Sequence, residues 1–292
     1  MRFHRPPSLA EALAIKADNP KVLPLAGGTD VMVAANFGRL PARDVLDLTD
    51  VPELSQWWRE DDRYLIGGTV PYARIIAELA DALPGLAMAS RTVGSPQIRN
   101  RGTVGGNLGT ASPAGDAHPP LLAGRAVVRV QSVRGVRNIP IDDYFVGLKK
   151  TALAPDELVT AIELAAAPGP QQFAKVGTRN AMVIAVCSFA LELDPAAKRV
   201  GTGLGSAAPT PRRAPEAERF LEDELSGRWL DPGRPLPHAV VREFGELVAS
   251  AAAPIDDVRS TAAYRRHALG VLARRTLGWT WLDYQKETRQ CA

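Results

Sequence analysis

Two short glycine segments carry the residues best suited to chemistry. The first, Leu25-Ala26-Gly27-Gly28-Thr29-Asp30, ends the apolar run Val22-Leu23-Pro24-Leu25. The second, Thr103-Val104-Gly105-Gly106-Asn107, lies in a stretch from Val93 to Pro120 rich in glycine, proline, serine and asparagine. Successive backbone N–H groups make a compact nest for an anion when no side chain intrudes. Glycine permits the close approach and the positive φ angles that such nests use. A diphosphate suits two nests, with Thr29, Thr103 and Asn107 as side-chain donors at the rim. After the second segment, a run of small residues from Leu108 through Thr110 ends at Asp116. A carboxylate there accepts hydrogen bonds from the hydroxyls of a ribose or ribityl chain. These residues describe a nucleotide-like cofactor with two phosphates and a polyol, and they leave its ring unnamed.

Two other glycine clusters read differently. Gly67-Gly68-Thr69 runs through Pro71 into an ordinary helical pattern, which is the signature of a tight turn. Gly201-Thr202-Gly203-Leu204-Gly205 resembles half of a dinucleotide fingerprint. The following Ala207-Ala208-Pro209-Thr210-Pro211 cannot open the phosphate-facing helix that a Rossmann unit requires, so this cluster reads as a decoy. The four histidines, His4, His118, His238 and His267, never pair at metal-ligand spacing, and no metal site or catalytic side chain is assigned. Two cysteines, Cys187 and Cys291, supply neither a disulfide framework nor the four thiolates of a cluster. Cys187 sits in an apolar run and reads as a buried thiol.

The elements that must position these residues are those of a sizeable soluble chain. Its 292 residues imply two domains or one large two-lobed one. Lys and Arg number 35 against 32 Asp and Glu, and no basic stripe is interleaved with aromatics, which argues against nucleic acid as a partner. No apolar run reaches the roughly 20 residues of a membrane span, and Met1 to Pro7 lacks the look of a secretory signal. The expected compartment is the cytoplasm.

Ser8-Leu9-Ala10-Glu11 opens a helix with a capping box, and Leu9, Ala12, Leu13 and Lys16 follow at helical spacing. Val22 to Leu25 reads as a strand, and Asp44 to Leu48 alternates like a half-buried one. The acidic turn at residues 60–62 joins Gln56-Trp57-Trp58 to Tyr64-Leu65-Ile66 in a hairpin, with a helix over residues 72–83 beyond. Residues 93–120 read as a long irregular segment; in a compact domain such a segment is usually functional or disordered, and its ordered run of motifs favours function. Strands are expected at 125–130 and 136–141. Ala165 to Pro170 has linker composition and sets the domain boundary. Past it, strands are expected at 173–176, 182–193 and 199–204, then helices at 215–225 and 260–277. The fold class is α+β.

Taken together, Ala26-Gly27-Gly28-Thr29-Asp30, Thr103-Val104-Gly105-Gly106-Asn107 and Ala111-Ser112-Pro113-Ala114-Gly115-Asp116 resemble the FAD domain of the xanthine dehydrogenase and carbon monoxide dehydrogenase family. The resemblance extends to Ser95-Pro96-Gln97-Ile98-Arg99-Asn100, Phe173-Ala174-Lys175 and Gly205-Ser206-Ala207-Ala208-Pro209-Thr210-Pro211, so it covers nearly the whole chain. It implies a two-lobed FAD-binding domain of the vanillyl-alcohol-oxidase (PCMH) type over 1–167, with lobes of about 1–55 and 56–167, and a smaller α+β domain over 171–285. FAD would lie between the lobes with its diphosphate at the two glycine segments. By the same carry-over, Thr103 meets the phosphates, Thr110 and Asp116 sit near the ribityl chain or ring, and Lys175 approaches the flavin from the second domain. Electrons would arrive from two 2Fe-2S clusters in a small subunit, fed by a molybdenum cofactor in a large subunit. They would leave to NAD or another acceptor, in a heterotrimer that is itself duplicated. One departure stands out. Relatives often have acidic residues where Asn180 and Val183 stand, Arg-Asp-Ala-Met-Asp being a common form.

Two other readings compete. A free-standing flavin oxidase or dehydrogenase of the same superfamily would bind its own substrate. Against it, the glycine segments hold no His or Cys for covalent flavin attachment. A nucleotide-binding scaffold without redox work needs one nest and leaves the second unexplained.

Overall fold

The computed structural model describes residues 2–40, 43–230 and 232–291, the side chains of Gln290 and Cys291 excepted. Met1 of the N-terminal segment and the Cys291 thiol therefore lie outside the described residues.

The N-terminal part is a small parallel sheet of β1 (Phe3–His4), β2 (Leu23–Leu25) and β3 (Val45–Asp47) in the order β1-β3-β2. Helix α1 (Leu9–Asp18) starts where expected, its first turn capped by the Ser8 hydroxyl, which accepts from the Glu11 N–H. Ala12 and Leu13 of α1 pack on Val22, Leu46, Leu48 and Leu54 in a compact core. Strand β3 is buried at every position, because a parallel strand is covered on both faces; the half-buried alternation expected for it is corrected. The short helix α2 (Val31–Asn36) follows β2 after only a tight turn.

The second part is a five-stranded antiparallel sheet, β4-β5-β10-β6-β7. The expected hairpin is β4 (Trp57–Glu60) with β5 (Arg63–Gly67), paired Trp57 to Ile66. Helices α3 (Tyr72–Glu78), α4 (Pro84–Thr92), α5 (Pro96–Arg99), α6 (Val104–Thr110) and α7 (His118–Ala123) come next. The segment from Val93 to Pro120 is thus not irregular but a chain of short helices. Glycine and proline hid them, since Pro96 and Pro119 stand in first turns, where proline is tolerated. Strands β6 (Val127–Ser132) and β7 (Gly135–Pro140) form a second hairpin. Helix α8 (Ile141–Tyr144) and the small ribbon of β8 (Phe145–Gly147) and β9 (Lys150–Thr151) lead to β10 (Leu158–Ala165), which completes the sheet between β5 and β6.

The C-terminal part pairs β11 (Gln171–Val176), β12 (Cys187–Asp194) and β13 (Arg199–Gly205) antiparallel. Helices α9 (Pro215–Leu225), α10 (His238–Ala251) and α11 (Ala262–Cys291) cover one face, around Phe189, Leu191, Phe244 and Leu269. Three helices close the chain rather than two. β12 begins at Cys187, five residues later than expected, because residues 182–186 leave the sheet. Its other face packs on α4 and α7, so every residue of β12 is buried. The decoy glycines make that contact. A Cβ at Gly201 would lie 2.0 Å from the Ala123 carbonyl oxygen, and one at Gly203 would lie 1.9 Å from that of Pro119. Only glycine lets the backbones of β13 and α7 touch.

The same junction buries a carboxylate. Gln171 accepts from the Gly85 N–H at 2.9 Å and donates to Glu192, tying α4 to the C-terminal sheet. Burial pushes Glu192 up from the ordinary 4.5 to about 7, against the opposing pull of Gln171 and Arg199. The folded chain therefore holds this proton more tightly than the unfolded one. The stabilisation is complete below about pH 4.5, falls as pH rises toward about 7, and is gone above it. Denaturant unfolding across that window should show a loss of stability on the order of 3 kcal/mol from this group. Glu192→Gln should flatten that slope, and an unchanged slope would assign it to another residue.

Candidate cofactor-binding site

A cavity of about 1160 Å³ runs between the three parts, beyond the roughly 300–1,000 Å³ common for small ligands. Strand β2 delivers the first glycine segment to its wall. The Leu25 side chain points into the protein, and its carbonyl accepts from the Leu48 N–H, which fixes where the strand stops. Gly27 then presses on the neighbouring chain so closely that a Cβ would lie 1.8 Å from the Arg101 carbonyl oxygen. Gly28 turns the chain at φ +77°, in the region that favours glycine.

The second segment is the first turn of α6. Thr103 is its N-cap, and its hydroxyl oxygen accepts from the Gly106 N–H at 2.8 Å. The Val104 and Gly105 N–H groups belong to the turn in which a helix offers no acceptor of its own. The nest is therefore a helix start rather than a loop. Gly105 backs onto Gly68, where a Cβ would meet the Gly68 carbonyl oxygen at 2.4 Å. Gly68 and Thr69 both line the cavity, so the cluster read as a plain turn is a third wall of the site. The Thr110 hydroxyl donates to Asp30 at 2.9 Å, clasping the two segments together across the cavity.

Of the residues singled out from the sequence, Ala26, Gly27, Gly28, Thr29, Asp30, Thr103, Gly105, Gly106, Asn107, Thr110 and Asp116 line the cavity. Leu25 and Val104 are buried behind it as anchors. Lys175 also stands outside the lining. Its ammonium donates to Asp116 Oδ2 at 2.6 Å and to the Thr92 carbonyl at 3.1 Å. Its ion pair with Asp116 sets it beside the cavity wall. Burial pushes the Asp116 carboxyl up, and Lys175 and then Thr92 hold it back.

Five buried polar atoms on lining residues have no partner among the described residues: Thr69 Oγ1, Tyr72 OH, Asn107 Oδ1 and Asp116 Oδ1 near the glycine segments, and Arg265 Nε at the far end. Buried polar groups are almost always paired, so such a cluster marks a ligand's place. Burial, then Asp116 and Asp30, raise the Tyr72 phenol well above its ordinary value, so it remains a neutral donor. The set offers backbone and phenol donors near the glycines and carboxylate and carbonyl acceptors beyond them. That is the complement of a diphosphate followed by hydroxyls, and FAD fits it. His118 is excluded from such a role. Burial lowers it to about 4, its Nε2 lies 3.3 Å from the Asn107 carbonyl, and its ring packs on Phe145. Among the described residues no group of side chains could hold a metal ion.

Sequence reasoning missed both ends of the cavity. At one end Lys16 lines it while donating to the Pro20 and Val22 carbonyls at 2.9 and 3.0 Å, with Leu23, Leu48 and Leu158 beside it. Its helical spacing gave no sign of this. At the other end the C-terminal part adds Met182, Val183, Ile184, Pro209 and Ile255, with Arg265 paired to Asp257 at the rim. Val183, one of the two departures noted above, is thus an apolar wall residue, whereas Asn180 is outside the lining. Exposed Met182, Ile184 and Ile255 are the visible signal, but it appears only once the chain is folded.

Comparison with known proteins agrees with this geometry. Residues 1–166 match the family described as FAD binding domain in molybdopterin dehydrogenase, and residues 172–280 match the CO dehydrogenase flavoprotein C-terminal domain. The chain is 32% identical to the nicotine 6-hydroxylase medium subunit of Paenarthrobacter nicotinovorans, over 95% of this chain and 96% of that subunit. It is 29% identical to the carbon monoxide dehydrogenase medium chain of Afipia carboxidovorans, over 94% of each. The structure of reconstituted CO dehydrogenase from Oligotropha carboxidovorans matches with a TM-score of 0.87 and 27% identity, covering 97% of this chain and 98% of that one. The chain accordingly belongs to the FAD-binding medium subunits of the molybdenum hydroxylases, a family of oxidoreductase subunits in which a flavin domain precedes a CO-dehydrogenase-type C-terminal domain.

Proposed function

We propose that this chain relays electrons within a heterotrimeric molybdenum hydroxylase, from 2Fe-2S clusters in a small subunit to NAD or another acceptor. A large subunit would carry the molybdenum cofactor and the hydroxylation itself, and two heterotrimers would associate. The observation that carries the reading is the cavity lined by two clasped glycine segments, with the unpartnered polar atoms of Thr69, Tyr72, Asn107 and Asp116 beside them. Bound FAD supplies two-electron chemistry on one side and one-electron chemistry on the other. In this reading the N–H groups around Gly28 and at the start of α6 hold the diphosphate. Tyr72 donates to it or to a neighbouring hydroxyl, and Asn107 and Asp116 accept from the polyol or ring. The apolar walls at Val183, Ile184 and Ile255 flank the ring.

The domain division proposed is 1–167, with lobes of about 1–55 and 56–167, followed by 171–285. Three hydrophobic clusters, one per part, support it, while a small fourth one of Ala89, Ala123, Phe173 and Ala190 packs the second part on the third. No helix among the described residues is long and apolar enough to cross a membrane. We place the protein in the cytoplasm, where Cys187, free, buried and pushed up to about 12 by that burial, stays a reduced thiol. A free-standing flavin oxidase remains the second reading, favoured by the openness of the apolar end to a small substrate.

The purified chain, reconstituted with FAD, should be yellow and release its flavin unmodified on acid treatment. Alone it should hydroxylate no purine, N-heterocycle or aldehyde, while reducing a dye with NADH. Substrate hydroxylation by the metal-free chain would establish the free-standing oxidase instead.

Gly109 offers the cleanest occlusion of the site. It lines the cavity within α6, and nothing lies within 4 Å of the Cβ that a substitution would add. Gly109→Leu should leave folding intact, since replacing a helical glycine gains up to about 1 kcal/mol, yet FAD affinity should fall. Gly106→Val should act more strongly, because its Cβ crowds Thr103 Oγ1 at 3.1 Å and disturbs the helix cap. Losing two charge-assisted hydrogen bonds of roughly 1.5–3 kcal/mol each weakens binding by about two to four orders of magnitude. Gly227→Ala, in open space, is the control; Gly203→Ala would not serve, because its Cβ collides with Pro119. Calorimetric FAD titration of the three variants checks this, and equal affinities would reject the site.

A further inference from the structure

The contact between α4 and the C-terminal sheet holds a carboxyl group that lies outside the cavity lining. Glu192 of β12 is 5% exposed, and the Gln171 amide of β11 donates to its Oε2. The other end of that amide is a helix cap. Pro84 opens α4 without an N–H, Leu83 offers no side-chain cap, and Gln171 Oε1 takes the Gly85 N–H at 2.9 Å. One glutamine thus joins a carboxyl of the C-terminal part to the first turn of a helix in the second part. The space left beside it is a cavity of only about 10 Å³, bounded by Gly85, Pro120, Ala123, Gln171 and Glu192 among others. That is at the lower limit for a single water.

An uncharged carboxyl sits in such a contact at little cost. An ionised one needs several donors or a cation, and the closed junction gives it one amide and scant room for solvent. The charged groups around it decide where it turns. On its own strand stands Asp194, already paired with Arg199 of β13 at 3.1 Å. Helices α4 and α7 meet it with Gly85, Pro120 and Ala123, none of them titratable. The other cation is Arg125, just after α7, whose charge acts on Glu192 as that of Arg199 does. The residue before it, Gly124, is so close that a Cβ there would lie 3.3 Å from Glu192 Oε2. Arg125 stands near Arg213 and near Glu218 and Glu222 of α9, yet its Nε is buried without a partner among the described residues.

We propose that Glu192 is a proton-operated latch on the docking of the C-terminal part: protonated, it keeps Gln171 on the first turn of α4, and ionised, it turns to the Arg125 guanidinium and frees that turn. Burial pushes the latched carboxyl up from the ordinary 4.5 to about 7, whereas the released one is hydrated and titrates near its ordinary value. The latch is therefore tightest below about pH 4.5, loosens as pH rises, and is loosest above about 7. The connection between β11 and β12 carries Met182, Val183 and Ile184 to the cavity, so acid firms the wall they form, whatever fills the space.

Residue-resolved amide exchange of the full-length chain between about pH 5 and pH 8 tests this. Gly85 reports the latch, and Gly67, whose N–H donates to the Gln56 carbonyl at 2.9 Å, is the reference. Chemical exchange quickens equally with pH for both, so their ratio cancels it. In the unaltered chain the ratio of Gly85 to Gly67 exchange should rise about tenfold per pH unit up to about pH 7 and then level. Glu192→Gln, which keeps an acceptor without the charge, should hold the ratio flat. Arg125→Met removes the partner of the ion and should move the rise to higher pH. A flat ratio in the unaltered chain overturns the latch, whether neither amide is released or the whole chain opens at once. A rise that survives Glu192→Gln belongs to another group and overturns it as well, and so does a rise that Arg125→Met leaves in place. Should Glu192→Gln not fold, the unaltered chain and Arg125→Met decide alone.

Discussion

The structure depends on backbone reaching backbone without side chains between. Gly27 lies against the Arg101 carbonyl, and Gly105 lies against Gly68, at separations where any Cβ would overlap. These contacts bring the turn after β2, the end of β5 and the start of α6 to one place. The result is a throat of glycine backbone in the cavity wall, clasped by the hydrogen bond from Thr110 to Asp30 at 2.9 Å. Such a throat leaves an anion free to approach the backbone, since no side chain stands on Gly27, Gly28, Gly105 or Gly106.

The C-terminal part takes its place through a second such constraint. Gly201 and Gly203 let β13 lie on the backbone of α7, which fixes β12 between α7 and the C-terminal helices. From that position the chain after β11 delivers Met182, Val183 and Ile184 to the open end of the cavity, and β11 delivers Lys175 to Asp116. A surface ion pair is worth little in stability. This one is buried, with Asp116 Oδ2 committed to the Lys175 ammonium and the Thr92 hydroxyl.

The sequence disclosed the throat and little of what surrounds it. Gly27-Gly28 and Gly105-Gly106 stood out from the other glycine pairs because the run from Leu108 to Asp116 follows the second of them. Gly68 was misread because its role is to back another glycine, and no local pattern reports a partner that is 37 residues away in the numbering. The helices between Pro96 and Ala123 were hidden for a related reason: short helices rich in glycine and proline draw their stability from packing rather than propensity. Lys16 and Arg265 carry ordinary helical spacing, and only tertiary structure turns them toward the cavity. Strand β12 was foreseen but begun five residues early, because the apolar residues 182–186 that extend it in sequence are cavity wall in space.

The central claim is that both glycine segments grip one cofactor at once. Amide hydrogen exchange of the chain, with and without FAD, tests it most directly. The account predicts slower exchange on FAD addition in residues 26–30 and in residues 103–107 together, at the same FAD concentration, with residues 112–116 following. Protection confined to one segment, or appearing first in the β13 glycines, would contradict it.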